Sequence, residues 1–289
     1  MPIHRCLRVD GRNCGFQPQA AATGLRSVKE PRKMTGNCWH IMPYQPIPNK
    51  TSGPRRRFIL PVLGALAIIT GPARAAEAPD MPVFKQNARI LFQGDSITDG
   101  NRGRNADPNH ILGHGYCFII AAKYGAQYPE RNLTFMNRGC SGNKVTDLAG
   151  RWQKDTLDLK PDVLSIMIGI NDSGNIPLDQ YEQTYDKLLA DTKAANPDIR
   201  FVLIEPFYLP KDGHKDNDAR DQDVKQRQAI VAKVAAKHQA ALVKLQQIFD
   251  DACKQAPATY WVWDAVHPTY SGHQLMANAW IKTVGEFYK

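Results

Sequence analysis

Residues 87–289 predict a three-layer α/β/α sandwich built on a five-stranded parallel sheet. Three observations carry this reading. Short apolar runs recur without the polar alternation of a strand that faces water on one side. Segments of helical periodicity separate them, as crossovers between parallel strands require. Blocks rich in glycine and polar residues follow the runs, at the carboxyl ends where open α/β sheets hold their ligands. No internal repeat or second domain boundary interrupts the pattern.

The elements follow in order. Arg89–Phe92 is a first strand, ended by Gly94-Asp95-Ser96. Gly115–Tyr128 spreads its apolar residues as a helix does, and Leu133–Met136 is a second strand. Asp162–Ile168 is a third, apolar throughout after Asp162 except for Ser165. Leu178–Ala195 places Tyr181, Tyr185, Leu188 and Leu189 on one helical face and is stopped by Pro197. Ile199–Ile204 is a fourth strand, Ala219–Gln239 a long helix, Ala241–Leu245 a fifth strand and Ser271–Phe287 a closing helix.

Charge narrows the function classes. The 289-residue chain carries a formal charge of +9, but residues 1–75 hold 12 Lys and Arg against 2 Asp and Glu. The remainder has 25 basic and 26 acidic residues, a net of −1. The basicity belongs to the leader. The body lacks the electrostatic footprint of a polyanion binder, and no nucleic-acid partner is expected.

Within the leader, Pro54-Arg55-Arg56-Arg57-Phe58 opens an apolar run through Ile69 that is too short to span a bilayer comfortably. With Ala73-Arg74-Ala75 behind it, residues 54–75 have the layout of a cleavable signal peptide. The paired arginines resemble a twin-arginine signal, a receptor-read address. An exported, periplasmic or secreted protein is expected, with no membrane span after cleavage. Residues 1–53 lack apolar periodicity and read as disorder or as an extension created by too early a start, with Met34 or Met42 the true one. Residues 76–86, with two prolines, read as a linker. Cys117, Cys140 and Cys253 in the body have no metal-ligand spacing, so free or buried thiols are expected, with one disulfide left open.

Four blocks carry chemistry. Gly94-Asp95-Ser96-Ile97-Thr98-Asp99-Gly100 places a serine at a strand-to-helix turn, where its Oγ is exposed and nearby amides can face an oxyanion. Taken alone it is equally an ordinary helix cap. Asp264-Ala265-Val266-His267-Pro268 can deliver a base and its orienting carboxylate from one loop, and Pro268 biases His267 toward extended backbone. Alone it reads as a surface turn. Gly169-Ile170-Asn171-Asp172 offers an Asn amide as an oxyanion donor, or else a cap. Asn137-Arg138-Gly139-Cys140-Ser141-Gly142 offers a backbone N–H, or else a turn glycine.

Together these blocks resemble the GDSL/SGNH hydrolase family, in which the Ser, Gly, Asn and His blocks occur in this order. The resemblance implies a flavodoxin-like sheet and a cofactor-free serine esterase. Ser96 would be the nucleophile, His267 the base and Asp264 its orienting acid. The Ser96 and Gly142 N–H groups and the Asn171 side chain would be oxyanion donors. Gly139 competes with Gly142, but the family's donor follows the small residue of the Ser-Gly pair. Leu91–Asp99, Gly142–Leu148, Ser165–Asp172 and Trp263–Pro268 look like the acetylxylan-esterase branch, whose members deacetylate xylan or its oligosaccharides. Some members form large homo-oligomers, so a homo-oligomer is open here. The resemblance spans nearly all of residues 88–289 and departs at Gly100-Asn101 and over Lys211–Asp223, a charged stretch expected near the cleft rim.

The substrate expected is an acetylated carbohydrate or another small ester. The rivals are a lipase, thioesterase or lysophospholipase with the same triad, and a catalytically inactive carbohydrate-binding protein. The intact set Ser96, Asn171, Asp264 and His267 speaks against the last. Trp263, beside the acid, is expected to bind substrate as an apolar wall that shortens the acyl pocket or as a sugar platform. His110 and His114 would form a metal pair only on one helix, which Gly113 and Gly115 oppose, so no metal is expected. His273 belongs to the first turn of the last helix, and His214 and His238 sit in charged, exposed-looking contexts that need no role.

Overall fold

The computed structural model describes residues 84–215 and 218–288. The expected extension, signal segment and most of the linker lie outside the described residues. The elements are β1 (Arg89–Gly94), α1 (Ser96–Asp99), α2 (Tyr116–Gln127), β2 (Thr134–Asn137), α3 (Val145–Asp155), β3 (Val163–Met167) and α4 (Leu178–Ala195). They continue with β4 (Arg200–Ile204), α5 (Ala219–Lys237), β5 (Ala241–Val243), α6 (Leu245–Ala252), α7 (Ala258–Trp261) and α8 (Tyr270–Phe287). The strands form one sheet in the order β2-β1-β3-β4-β5, every pair parallel. The fold is the expected α/β architecture.

The period-two alternation of side chains sends each strand's apolar residues to both faces. On one face Ile90, Phe92, Val163, Val202 and Ile204 pack under α2, α6 and α8, with Trp280 fully buried. On the other, Leu91, Leu164, Ile166, Phe201 and Leu203 pack under α3, α4 and α5. Ser165, the one polar interruption of the third apolar run, faces the first layer and accepts a hydrogen bond from the Trp280 indole at 3.0 Å. A buried indole N–H left unpaired would cost about 1–3 kcal/mol, so the serine is a fitted partner and not a defect.

Two expectations shift. The packed body starts before residue 87, because Phe84 is buried with its ring 5.0 Å from Tyr124 and 6.2 Å from Trp280. The segment α3, with α6 and α7, adds helices that the apolar pattern did not announce. Among the described residues no helix is long and apolar enough to cross a membrane.

From β1 the chain crosses to β2 on one side and then to β3 on the other. That reversal opens a crevice beyond the carboxyl ends of β1 and β3. Gly94 and Met167 are register partners at those ends, so the segments that follow them leave the sheet side by side.

Candidate active site

The serine block turns sharply because nothing larger than glycine fits at its start. A Cβ on Gly94 would lie 2.3 Å from the Met167 carbonyl oxygen and 2.3 Å from Thr98 Oγ1. Asp95 then caps α1, its Oδ1 accepting the Ile97 N–H at 3.0 Å. Its other oxygen is buried without a partner, and burial, with the Asp172 charge adding, pushes the carboxyl up to about 7. Ser96 occupies the first helical position, where a backbone N–H has no intrahelical acceptor.

The Asp-His loop is shaped by its own acid. Asp264 Oδ1 accepts the backbone N–H groups of Val266 at 3.1 Å and His267 at 2.7 Å. Ala265 between them has φ +74°, a left-handed conformation costly for a residue with a Cβ. Its carbonyl is fixed by the Leu209 N–H at 2.9 Å, while Trp263 N–H donates to His267 O at 3.1 Å and Val262 bridges to Pro268. Asp264 Oδ2 lies 2.7 Å from His267 Nδ1, and Ser96 Oγ lies 2.8 Å from His267 Nε2. A carboxylate facing Nδ1 places the proton there and leaves the Nε2 lone pair toward the hydroxyl. Burial pushes the Asp264 carboxyl up, but hydrogen bonds from His267 and the Val266 N–H outweigh it and hold it below the ordinary value.

The two glycines of the second block have different surroundings. A Cβ on Gly139 would lie 2.4 Å from Asp99 N, and its N–H is taken by Asn137 Oδ1 at 2.9 Å. It packs the loop onto α1. Gly142 has φ +80° and open space where a Cβ would point. Among the described residues its N–H has no acceptor. Asn171 Nδ2 donates one hydrogen to Asn143 O at 3.1 Å, leaving the other uncommitted. Gly142 and Asn171 line one cavity of about 640 Å³, together with Lys144, Ser173 and Arg220. Beneath them Asp172 is buried, accepts the Val145 N–H at 2.9 Å and is pushed up to about 6 by burial. Ser96, Asp264 and His267 are thus joined in one relay, and Gly142 and Asn171 share one cavity wall.

Sequence reasoning missed Asp99. This buried carboxylate receives Arg104 through Nη1 at 3.0 Å and Nη2 at 2.7 Å, and accepts both the N–H and the hydroxyl of Ser141 at 3.1 Å. Burial pushes its carboxyl up, and these bonds outweigh that and hold it low. It ties the serine helix to the residue before Gly142. An acid three residues after the serine was visible in the sequence, but its distant partners were not.

The other residues singled out in the sequence have varied surroundings. Trp263 stacks on His267 with ring centroids 6.3 Å apart at 29°, yet is 68% exposed. Such exposure does not suit the wall of an enclosed acyl pocket and is compatible with the sugar platform. His238 is largely buried and bonds Asp186 at 2.8 Å, while His214 bridges Asp221 and Asp250, so both hold elements together. His273 is in the first turn of α8 as expected, but it is also buried, and its Nδ1 accepts the Tyr116 N–H at 3.2 Å. His110 pairs with Asp107 at 2.7 Å, and the backbone N–H of His114 donates to Gly100 O. Cys117, Cys140 and Cys253 are free thiols.

The Lys211–Asp223 stretch does reach the cavity, through Ala219, Arg220 and Asp223.

Residues 92–275 match the GDSL-like Lipase/Acylhydrolase family. An acetylxylan esterase from Geobacillus stearothermophilus is 34% identical over 210 residues, covering 68% of this chain and 94% of that protein. The crystal structure of Axe2, an acetylxylan esterase from Geobacillus stearothermophilus, superposes with a TM-score of 0.63 at 33% identity over 70% of this chain and 95% of that one. LAE5, an alpha/beta hydrolase enzyme from the metagenome of Lake Arreo, gives a TM-score of 0.64 at 33% identity, covering 70% and 97%. A family match over most of the chain, seated on the expected sheet, settles the class: the chain belongs to the GDSL-like lipase/acylhydrolase family and is a carboxylic ester hydrolase.

Proposed function

We propose that the chain is an exported serine esterase that removes O-acetyl groups from carbohydrate through a covalent acyl-enzyme. The observation that carries the mechanism is the unbroken relay from Ser96 Oγ through His267 to Asp264, at 2.8 and 2.7 Å. His267 Nε2 takes the Ser96 proton as Oγ bonds to the acetyl carbonyl carbon. The Ser96 and Gly142 N–H groups and the free Asn171 N–H receive the oxyanion. As the intermediate collapses, the carbon–oxygen bond to the sugar breaks and His267 gives its proton to the departing alkoxide. A water, deprotonated by the same imidazole, then attacks acetyl-Ser96; the acyl carbon–Oγ bond breaks, His267 returns the proton to Ser96 Oγ, and acetate leaves.

The acetyl-carbohydrate assignment is supported by the 34% identical acetylxylan esterase, and export by the signal pattern of residues 54–75. A second reading, hydrolysis of longer acyl esters, is favoured by one observation. The Trp263 ring beside His267 is 68% exposed and so does not enclose a short acyl pocket. Acetate release from a panel of acetylated polysaccharides, run beside p-nitrophenyl esters of graded length, separates the two. The deacetylase reading expects acetate release from polysaccharide and kcat/KM falling from acetyl to butyryl esters. Octanoyl esters turned over as well as acetyl esters would discard it and leave the triad in place.

A further inference from the structure

The cavity that begins at Gly142 and Asn171 continues past Asn175 to the first turn of α5, where Arg220 and Asp223 line it, and Lys144 contributes to the same wall. Its charges are unequal in freedom. Asp223 is engaged by the buried Arg227, through Nε at 2.7 Å and Nη2 at 3.3 Å, so its charge is already answered. The Arg220 guanidinium lies 5.5 Å over the Tyr208 ring, and among the described residues no carboxylate pairs with it. An arginine stacked on an aromatic face keeps its in-plane N–H fork available for a carboxylate. Lys144 reaches Asp147 only at 3.4 Å, in a solvent-exposed pair that exchanges partners easily. Asn175 spends its Nδ2 on Asn171 O and Ser173 O, leaving its carbonyl oxygen for a hydroxyl donor. Two available cations beside neutral hydrogen-bonding groups, on a body of net charge −1, do not follow from overall charge.

We propose that this cavity is a subsite for a carboxylate carried by the saccharide, so that the preferred ester lies on acidic, uronate-bearing carbohydrate. Arg220 is the principal contact and Lys144 the second. This rests on the carbohydrate-ester reading above and names the substrate class within it.

The test compares acetylated xylo-oligosaccharides with and without a glucuronic acid branch, matched in length and acetylation. The wild-type kcat/KM should be about fivefold higher on the branched acid, as one partly exposed ion pair allows, and the ratio should fall with added salt. Arg220→Gln should bring the ratio to about one, and Arg220→Glu should invert it. A wild-type ratio of one or less, or a ratio untouched by Arg220→Gln, overturns the subsite. Hydrolysis of p-nitrophenyl acetate, run on the same preparation, keeps the failures apart. Its absence removes the esterase reading and this one with it, whereas its presence without discrimination removes only the subsite.

Discussion

Asp99 accepts two hydrogen bonds from Ser141, one from the backbone N–H and one from the hydroxyl, each at 3.1 Å. Ser141 precedes Gly142, and Asp99 ends the helix that Ser96 begins. One carboxylate therefore fixes the distance between two loops whose N–H groups would hold the same oxyanion. Asp99→Ala should lower kcat by about 10–100-fold, since small misplacements of catalytic groups carry penalties of that order. It should also cost about 1–3 kcal/mol of stability. Steady-state kinetics and thermal unfolding measure both. A variant with unaltered kcat would show that the loop holds its place without Asp99.

The relay itself makes the largest demand. Ser96→Ala or His267→Ala should reduce kcat by about 10⁴-fold or more, because nucleophile and base act as a unit. Asn171→Ala should cost about 10²–10³, the usual loss for one oxyanion donor. Near-normal turnover by folded Ser96→Ala protein would remove the assignment altogether.

Asp95 gives stability a specific pH dependence. Its carboxyl titrates near 7 in the folded chain and near the ordinary value when unfolded. The folded state thus holds the extra proton, and stability contributed at this site falls as pH rises between about 4 and 7. Asp95→Asn keeps an oxygen for the Ile97 N–H and cannot ionise. Against wild type, it should gain on the order of a few kcal/mol at pH 8 relative to pH 4. Melting curves across that range test it, and parallel wild-type and variant curves would refute it.

Much of this architecture was legible because parallel strands are apolar on both faces. The runs at Ile90, Leu164 and Val202 stand out without any knowledge of their partners. Helix α3 escaped because only Val145, Leu148 and Trp152 are buried in it, with Gly150 interrupting and Lys144 at its N-cap. The proposed triad was readable because its members fall in two short contiguous blocks, Ser96 in one and Asp264 with His267 in the other. Asp99 was not, since its meaning depends on Arg104 and Ser141. The orientation of Trp263 was not legible for a related reason: sequence proximity to the acid says nothing about which way an indole faces.

Backbone strain at the Asp-His loop is also testable. Ala265→Gly removes a Cβ from a left-handed site, while giving the unfolded chain more freedom. The two effects oppose, so melting should shift by no more than about 1 kcal/mol in stability. A loss of several kcal/mol would show that the Ala265 methyl packs where the backbone geometry does not require it.

The hydrogen bond between Ser96 and His267 spans 171 positions of sequence. During synthesis the serine block therefore leaves the ribosome long before its base exists. At ordinary elongation rates that interval is roughly 10–30 s. With His267 as the proposed base, the nascent chain would carry Ser96 throughout that interval as an inert hydroxyl. On the proposed mechanism, ester cleavage would begin only once residues 264–267 have emerged and closed onto the sheet, so the connectivity of the fold would also set the time at which the chain first becomes chemically competent.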